Sequence, residues 1–487
     1  MNALTRYILG IDIGTQGTKG LLVSVEGEVV ARLYESGKIT RKEVGQAEQD
    51  PETSWWQSFC HVAKGLMGQS GASPNQIMAV GCCAMSPNVA FLDEHMNVLR
   101  PALLYCDQRV PEAGDLSDRR LNGAVRPGSI AARLLWVQKH QPEIWNQVRY
   151  TPTTTSYLVE KLTGHLSIDR PTAQGYGSLF DLSNGRWDMA ECERLGLSAE
   201  LFPQEIVGSR DIVGTMTEQA ACSTGLAQGI PVIAGTIDAF AEMLSAAVVA
   251  PGDACLLYGS FVALLVARVR RRLSDGPIHC LEDLAFDGAG VQTGGALIRW
   301  FRDTFARAEL QVENEGGQNA YATLDELAEA IPPGAEGLLA LPRFEGSPGG
   351  AWFGLTLGHR REHLYRSLLE GIAFEVRRQL EEEHVAIPSQ LVAVGGGSQS
   401  QLWTQIMSDV LGVTQLCTEY PLGAPLGIAY LAGMGAGLIS GFERLKNQWL
   451  RVGRVVQPEL AERFVYDRAY RAYCQEFQQR FGQQGAN

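Results

Sequence analysis

The sequence predicts an α/β protein of two domains, and three observations carry that prediction. The chain has 487 residues, more than one hydrophobic core usually holds. Strand-like apolar runs alternate with helical patterns in both halves, which is typical of α/β architecture. Each half also opens with an apolar strand, a glycine turn and a second apolar strand, at 8–22 and at 254–268. We therefore expect an internal duplication with a boundary near 245–252 and domains at 1–247 and 248–487.

The individual elements follow from hydrophobic periodicity and helix start signals. Asp50 and Pro51 indicate the start of a helix. An Asp side chain at an N-cap accepts hydrogen bonds from backbone N–H groups, and Pro fits the first helical turn. In the first half the pattern predicts strands at 7–13, 18–25, 28–34, 77–83, 88–92 and 231–238, and helices at 51–68, 130–140, 153–163 and 239–248. In the second half it predicts strands within 254–268 and at 390–394, helices at 295–307, 323–330, 361–384, 400–411 and 457–482, and an apolar stretch at 425–438.

Composition restricts the class of function. The net charge of −13 argues against nucleic acid as a partner. We expect a cytoplasmic protein without a membrane partner, because no apolar run reaches the ~18 residues of a membrane span and the first residues do not resemble a signal peptide. The ten cysteines are scattered without a Cys-x-x-Cys pair, which indicates reduced thiols rather than disulfides or a zinc site.

The most informative stretch is ILGIDIGTQGTKGLL, residues 8–22. Glycines let backbone N–H groups approach an anion, and the threonines and the lysine add hydroxyls and a positive charge. A carboxylate just before such a turn is well placed to hold Mg²⁺ on a nucleotide phosphate. The stretch is not a Walker loop, because no Gly-Lys-Ser/Thr closes it and a strand follows. The predicted phosphate ligands are Gly14, Thr15, Gln16, Thr18 and Lys19, with Asp12 as a metal ligand; an ordinary tight hairpin is the alternative.

Transfer of a phosphoryl group also needs a second phosphate turn and a group that takes the acceptor's proton. Gly259 and Ser260 form the corresponding turn of the second half. Asp238 stands where a strand ends and a helix begins, so the helix dipole is expected to keep it ionised. We predict Asp238 as the catalytic base, as an acceptor-binding residue and as a second metal ligand. A plain helix N-cap is the alternative.

Two further clusters are candidates for adenosine and sugar binding. An adenosine-binding surface is predicted at Gly395, Gly396 and Gly397, followed by Ser400. A dinucleotide-binding fingerprint would require glycine instead of serine at position 400. A structural glycine turn is the alternative. In LLYCDQR, residues 103–109, Asp107 and Arg109 share one face if extended and offer an acceptor and donors to sugar hydroxyls. Met85 would line the same pocket. The alternative for the acid and arginine is a structural salt bridge.

In combination, these motifs resemble the FGGY carbohydrate kinases, which belong to the actin-like, ribonuclease-H-like ATPases. The resemblance covers about residues 7–440 and keeps the order of the family's motifs. GIDIGTQGTKGLL and DACLLYGSF are similar to the two phosphate motifs, LLYCDQR to the sugar segment, GIPVIAGTIDAFAEML to the segment of the catalytic Asp, and VGGGSQSQLWTQIMSDVLG to the adenosine motif.

The resemblance implies two actin-like domains with a catalytic cleft between them, and ATP, Mg²⁺ and a small sugar or polyol as ligands. The xylulokinase-like branch is the most similar, and homodimers would be unsurprising in it. Where that branch has Gln-Met-His-Gly, this chain has Ala84-Met85-Ser86-Pro87, which removes hydrogen-bond partners and argues against D-xylulose. Tyr105 replaces a usual Trp, and Arg133 a usual Lys. Two other interpretations are a sugar or nucleotide sensor with little catalysis and an actin-like polymerising or chaperone ATPase.

Overall fold

The computed structural model describes residues 5–41, 43, 45–109, 125, 128–271, 281, 283–343, 349–420 and 423–481. Its strands are β1 (Tyr7–Gly14), β2 (Gly17–Ser24), β3 (Val29–Ser36), β4 (Glu48–Gln49), β5 (Ile77–Ala84), β6 (Val89–Leu92), β7 (Val98–Leu103), β8 (Ser167–Asp169), β9 (Phe180–Asp181), β10 (Arg186–Trp187), β11 (Glu205–Val207), β12 (Ile212–Thr215), β13 (Pro231–Ile233), β14 (Thr236–Ile237), β15 (Ala254–Tyr258), β16 (Val262–Val269), β17 (Leu284–Val291), β18 (Leu339–Leu341), β19 (Ala351–Phe353), β20 (Gln390–Val394), β21 (Thr414–Thr418) and β22 (Val452–Val456). Its α-helices are α1 (Ser58–Ser70), α2 (Ile130–His140), α3 (Pro142–Trp145), α4 (Thr154–Thr163), α5 (Arg170–Ala173), α6 (Met189–Leu195), α7 (Glu218–Thr224), α8 (Asp238–Ser245), α9 (Gly294–Phe305), α10 (Arg307–Asn314), α11 (Ala320–Glu329), α12 (Arg361–Glu382), α13 (Gln401–Leu411), α14 (Ala424–Gly435) and α15 (Leu460–Phe481).

The chain divides into two compact units that are not continuous in sequence. The first unit combines Met1–Ser245, Arg270–Ala285 and Leu422–Trp449, and the second combines Ala246–Val269, Phe286–Pro421 and Leu450–Asn487. The predicted domains at 1–247 and 248–487 are continuous, and that division stays a prediction.

The first unit is built on a seven-stranded sheet in the order β12-β13-β5-β1-β2-β3, with β14 also paired to β5. Strands β1, β2 and β3 are antiparallel neighbours, whereas β5, β13 and β14 continue the sheet in parallel with β1. In the register of these pairs, Ala84 of β5 lies opposite both Ile13 of β1 and Ile237 of β14. Strands β1, β5 and β14 therefore end side by side at one edge of the sheet.

Helix α14 packs closely on this sheet, although it comes late in the chain. An ideal Cβ atom on Gly10 of β1 would lie 2.1 Å from the Pro425 carbonyl oxygen, and one on Gly81 of β5 would lie 2.7 Å from that of Ile428. A Cβ atom on Gly427 would lie 1.9 Å from the Ala241 carbonyl oxygen in α8. Glycine at these three positions lets α14 lie directly against β1, β5 and α8.

The second unit repeats the plan of the first around its own six-stranded sheet, in the order β17-β16-β15-β20-β21-β22. The hairpin of β15 and β16 corresponds to that of β1 and β2, and β20 lies parallel to β15 as β5 lies parallel to β1. Its hydrophobic core includes buried side chains of β15, α9, α12 and α13. The predicted α/β class, with a glycine-turn hairpin opening each half, is confirmed.

Most predicted elements appear close to their expected bounds. The predicted helix at 51–68 forms as a π-helical segment, Pro51–Gln57, that continues directly into α1. Asp50 caps its start, because Asp50 Oδ1 accepts a hydrogen bond from Thr53 N at 2.9 Å. The single strand predicted at 231–238 is wrong, because the chain breaks between β13 and β14 at Gly235, whose φ is +76°. Within the described part of the chain, no helix is both long and apolar enough to cross a membrane.

Candidate active site

The carboxyl edge of the first unit's sheet collects three of the predicted groups. Strand register brings the turn after β1, Met85 after β5 and Asp238 after β14 to the same edge. Met85 N continues the pairing of β5 and donates to Ile13 O at 3.1 Å, while the Met85 side chain is buried. The sequence could not reveal this proximity, because it depends on the register of strands far apart in the chain.

Asp12 is buried within β1 and faces Lys19 of β2. The Lys19 Nζ atom lies 3.7 Å from Asp12 Oδ2, and Cys83 Sγ lies 3.8 Å from Asp12 Oδ1. Burial raises the pKa of Asp12, although the Lys19 charge and the Cys83 thiol oppose this rise. The Asp12 charge in turn raises the pKa of Lys19, so this side chain is a cation beside the predicted phosphate turn.

Asp238 begins α8, as predicted, but its ionisation differs from the expectation. Its Oδ1 atom accepts a hydrogen bond from Ala239 N at 2.7 Å. Burial raises the pKa of Asp238 to about 7, and the nearby Asp12 charge adds to the rise. The expectation that the helix dipole keeps Asp238 fully ionised is therefore wrong, because desolvation and a like charge outweigh it. Glu242, one helical turn later, adds a third negative charge to this region.

The turn between β1 and β2 is held from several sides. Thr15 O accepts a hydrogen bond from Gln49 Nε2 at 3.3 Å, and Gln16 O accepts one from Tyr34 OH at 2.8 Å. Thr18 is buried, and its hydroxyl oxygen accepts a hydrogen bond from Ser58 Oγ of α1 at 2.8 Å. Accepting that bond leaves the Thr18 hydroxyl its own proton to donate, but the Thr18 side chain is buried, whereas Thr15 lies in the turn itself and is only partly buried.

The predicted sugar segment contains a buried network of charged groups. Asp107 Oδ2 accepts hydrogen bonds from Ala47 N and from Arg109 Nη2, both at 2.7 Å, and Asp107 Oδ1 accepts one from Arg109 N at 3.0 Å. Burial alone would raise the pKa of Asp107, but these hydrogen bonds hold it below its usual value. Asp107 therefore orients Arg109, and this geometry fits the alternative interpretation of the pair as a structural salt bridge. Direct sugar contacts by the two residues stay a prediction.

This segment is supported by Glu48 and Arg100, which sequence reasoning missed, and by Arg133, which it noted without assigning a role. Glu48 Oε1 accepts a hydrogen bond from Arg109 Nη2 at 2.6 Å and another from Arg100. Arg133 is fully buried, and its guanidinium donates to the carbonyl oxygens of Leu104 and Tyr105 at 3.1 and 3.0 Å. The only sequence signal for Glu48 is its place beside the predicted helix start at Asp50, since its pairing with β7 is a long-range contact.

The second unit carries the other two predicted turns at the carboxyl edge of its sheet. Because Leu257 of β15 lies opposite Val394 of β20, the Gly259–Ser260 turn lies beside Gly395. A Cβ atom on Gly295 would lie 2.0 Å from Gly259 O, so the first turn of α9 lies directly against this turn. A helix N-terminus favours anions, and the adjacent glycines Gly294 and Gly295 are the sequence signal that was missed.

The three glycines after β20 have different roles. Gly395 has a φ of +96°, and a Cβ atom there would lie 2.7 Å from Tyr258 O. A Cβ atom on Gly397 would lie 2.6 Å from the Trp403 ring. Gly396 is exposed, and an added Cβ would meet no described atom within 4 Å. Ser400 Oγ accepts a hydrogen bond from Trp403 N at 3.0 Å and caps α13, so Gly396 is the position of the motif that is open to a ligand.

The donor set of the first unit fits a nucleotide-bound magnesium ion rather than an ion held by protein alone. The described residues contain no group of three or more His, Cys, Asp and Glu side chains that could hold a metal ion. Mg²⁺ on a nucleotide usually takes one or two protein carboxylates, with phosphate and water as the other ligands. Asp12 and Asp238 supply two carboxylates whose repulsion raises the pKa of Asp238, and a cation would relieve that repulsion.

Comparison with known proteins identifies the family of the chain. The model of the FGGY carbohydrate kinase N-terminal domain matches residues 7–245, and the model of the C-terminal domain matches residues 239–436. The chain belongs to the FGGY family of carbohydrate kinases. It is an ATP-dependent carbohydrate kinase, and the family resemblance seen in its motifs is confirmed.

Relatives of this kinase cover nearly its whole length. It is 27% identical to the xylulose kinase of Bacillus subtilis over 93% of each chain. It is 27% identical to an autoinducer-2 kinase of Enterobacter, over 95% of this chain and 92% of the relative. The crystal structure of xylulose kinase from Rhodospirillum rubrum superposes with a TM-score of 0.82 at 29% identity, covering 97% of this chain and 98% of the other.

Proposed function

We propose that this kinase transfers the γ-phosphoryl group of ATP to a primary hydroxyl of a small ketose or polyol. The observation that carries the proposal is the common edge of β1, β5 and β14, where Asp238 follows one strand and the phosphate turn another. Phosphoryl transfer depends mainly on positioning and electrostatics, and this edge offers an acid and a phosphate turn on one rigid sheet.

Asp238 is the base of the proposed reaction. The acceptor oxygen forms a bond to the γ-phosphorus, the bond from this phosphorus to the β-phosphate oxygen breaks, and ADP leaves. The hydroxyl proton passes to the Asp238 carboxylate. A pKa of about 7 makes Asp238 a stronger base than an ordinary aspartate while leaving about half of it ionised at neutral pH.

The remaining predicted residues bind the nucleotide and the metal. Asp12 and Asp238 would hold Mg²⁺, which neutralises charge on the transferred phosphoryl group when it is bound. The proposed phosphate ligands are turn residues of the two units, namely Gly14, Thr15, Gln16, Thr18, Lys19, Gly259 and Ser260. The proposed adenosine contacts follow β20 and are Gly395, Gly396, Gly397 and Ser400. Lys19 offers a cation to the phosphates because Asp12 keeps its pKa raised.

The acceptor class follows from the sugar segment and the 84–87 segment. Arg109 is held by Asp107 and Glu48, so it offers guanidinium donors in a defined orientation to an acceptor's oxygens. The buried Met85 and the Ser86–Pro87 pair provide fewer polar groups than the Gln-Met-His-Gly of the xylulokinase-like branch. We therefore propose a ketose or polyol acceptor that is recognised mainly through Arg109 and Asp238, and D-xylulose is not favoured.

A coupled assay of ADP release tests the proposal. The panel contains pentuloses including D-xylulose, hexuloses, tetritols, pentitols, glycerol and autoinducer-2, each mixed with ATP and Mg²⁺. We expect turnover with at least one ketose or polyol, and a loss of at least about 10²-fold in kcat for Asp238→Asn. The matched control is Asp188→Asn, because Asp188 also begins a helix, where its Oδ1 accepts from Glu191 N at 2.9 Å. Near-normal kcat in Asp238→Asn, or ADP release that no acceptor stimulates, would contradict the proposal.

A further inference from the structure

Tyr105 is exposed, although buried residues stand on both sides of it in segment 103–109. Leu103, Leu104 and Asp107 are buried, whereas 47% of Tyr105 is exposed. The backbone beneath it is fixed, since Arg133 Nη2 donates to Tyr105 O at 3.0 Å and Arg133 is fully buried. A rigid backbone therefore presents a partly exposed phenol ring beside the proposed acceptor-binding residues.

The phenol of Tyr105 reaches the phosphate turn. Its hydroxyl oxygen lies 3.4 Å from Thr15 Oγ1, although the two residues are 90 positions apart in the chain. Thr15 is anchored from the other side, because Thr15 O accepts from Gln49 Nε2, and Gln49 Oε1 accepts from buried Trp55 Nε1 at 2.9 Å. Both backbones are thus fixed, and the two hydroxyls span the gap between them.

The same hydroxyl lies within the electrostatic field of Asp238. Partial burial raises the pKa of Tyr105, the contact with Thr15 opposes the rise, and the Asp238 charge adds to it. The separation of 3.4 Å is longer than the 2.7–2.8 Å typical of O–H···O bonds. This contact is therefore one that a ligand at the turn can shorten or break, whereas the backbone anchors stay in place.

We propose that the Tyr105 hydroxyl is a positioning group that transmits nucleotide binding at the 14–17 turn to the acceptor segment 103–109. The inference rests on the proposed function, since it assumes that the turn binds phosphate and that the segment binds the acceptor. Coupling between two binding sites is reciprocal, so acceptor binding also tightens nucleotide binding by the same factor. Tyr105→Phe would keep the ring and lose this coupling.

Hydrogen exchange of segment 103–109, with and without the ATP analogue AMP-PNP and Mg²⁺, tests the inference without any acceptor. In the wild type we expect AMP-PNP to slow the exchange of this segment. In Tyr105→Phe and in Thr15→Val the slowing should fall by about 2- to 10-fold, which corresponds to loss of one hydrogen bond. The double variant should lose no more than either single variant, because both remove the same contact.

A matched control separates coupling from a general loosening of the turn. Tyr34→Phe removes another phenol hydrogen bond to the same turn, the 2.8 Å bond to Gln16 O from the β3 side. We expect it to leave the AMP-PNP effect on segment 103–109 unchanged. An unchanged effect in Tyr105→Phe, an equal loss in Tyr34→Phe or additive losses in the double variant would each overturn the inference. Absence of ADP release by the wild type would instead contradict the proposed function.

Discussion

The ionisation of Asp238 determines how the kinase responds to pH. The base must be ionised, and its pKa is raised to about 7, so kcat/KM is expected to rise about tenfold per pH unit below pH 7 and to level off above it. More Mg²⁺ should move the midpoint to lower pH, because a cation favours the ionised carboxylate. Measuring kcat/KM from about pH 5.5 to 8.5 at two Mg²⁺ concentrations tests this, and a flat profile over that range would contradict it.

The same carboxylate should reduce the stability of the free protein at high pH. The folded-state pKa of Asp238 is about 7, whereas an ordinary aspartate, as in the unfolded chain, has a pKa of 3.8, so stability is lost as the pH rises between these values and stays lower above them. We therefore expect Asp238→Asn to raise the free energy of unfolding by about 1–2 kcal/mol near pH 8 and by less near pH 5. Urea denaturation without Mg²⁺ measures this difference, and an equal gain at both pH values would contradict the assignment.

At the scale of single residues, the sequence predicts chemical identity better than chemical state. The candidates Asp12, Lys19 and Asp238 follow from motifs, and the structure brings the charges of these three residues together. The raised pKa of Asp238 could not be predicted, since it depends on burial and on the distance to Asp12 across paired strands. The Thr18 hydroxyl is a similar case, because its partner Ser58 lies on a helix whose packing no local pattern reveals.

At the scale of elements, close packing between helix α14 and strand β1 predicts a strong size limit at Gly10. An added methyl group would meet Pro425 O at 2.1 Å and Ala429 Cβ at 2.9 Å, and both belong to a packed helix. We expect Gly10→Ala to lower the free energy of unfolding by at least about 2 kcal/mol. In the control Gly68→Ala, on α1, the new methyl would meet no atom of the described residues within 4 Å. That variant should be neutral or more stable by roughly 0.5–1 kcal/mol, since alanine favours helix.

The turn after β20 offers a test of adenosine binding that spares the fold. Gly396 is open, so Gly396→Ala should leave the melting temperature unchanged while weakening ADP binding by about tenfold if adenosine lies on this turn. Gly395→Ala should instead destabilise the protein, because its φ is +96° and Tyr258 O is close. Calorimetric titration with ADP and thermal melting of both variants distinguish the two roles. Unchanged ADP affinity in Gly396→Ala would remove Gly396 from the proposed site.

Local patterns predicted the elements well where they are long and periodic, and poorly where tertiary contacts decide. Helices α2 and α12 begin at the residues that the periodicity indicates. Strands β21 and β22 were missed, because their stability comes from pairing with a sheet formed by distant residues. The break at Gly235 depends on the approach of Cys82 O, at 2.1 Å from an added Cβ, which only the packed sheet creates.

At the scale of the whole molecule, the first unit needs a segment from the C-terminal half of the chain. The apolar pattern at 425–438 predicts a buried element, but nothing in it indicates that the element covers the sheet of the first half. We expect a fragment of residues 1–247 to be unfolded or aggregated, since the α14 face of β1 and β5 would be exposed. Joining 423–449 to this fragment through a flexible linker should restore a cooperative melting transition. Cooperative melting of 1–247 alone, followed by circular dichroism, would contradict this.

The late position of α14 has a consequence for synthesis on the ribosome. The strands of the first unit's sheet leave the exit tunnel early, yet the helix that covers them is translated some 190 residues after β14. At a translation rate of about 5–20 residues per second, the sheet face that α14 covers stays exposed on the nascent polypeptide for roughly 10–40 s. The first unit therefore cannot complete its folding until α14 has been synthesised, and chaperones that bind apolar nascent surfaces should influence the yield of this enzyme.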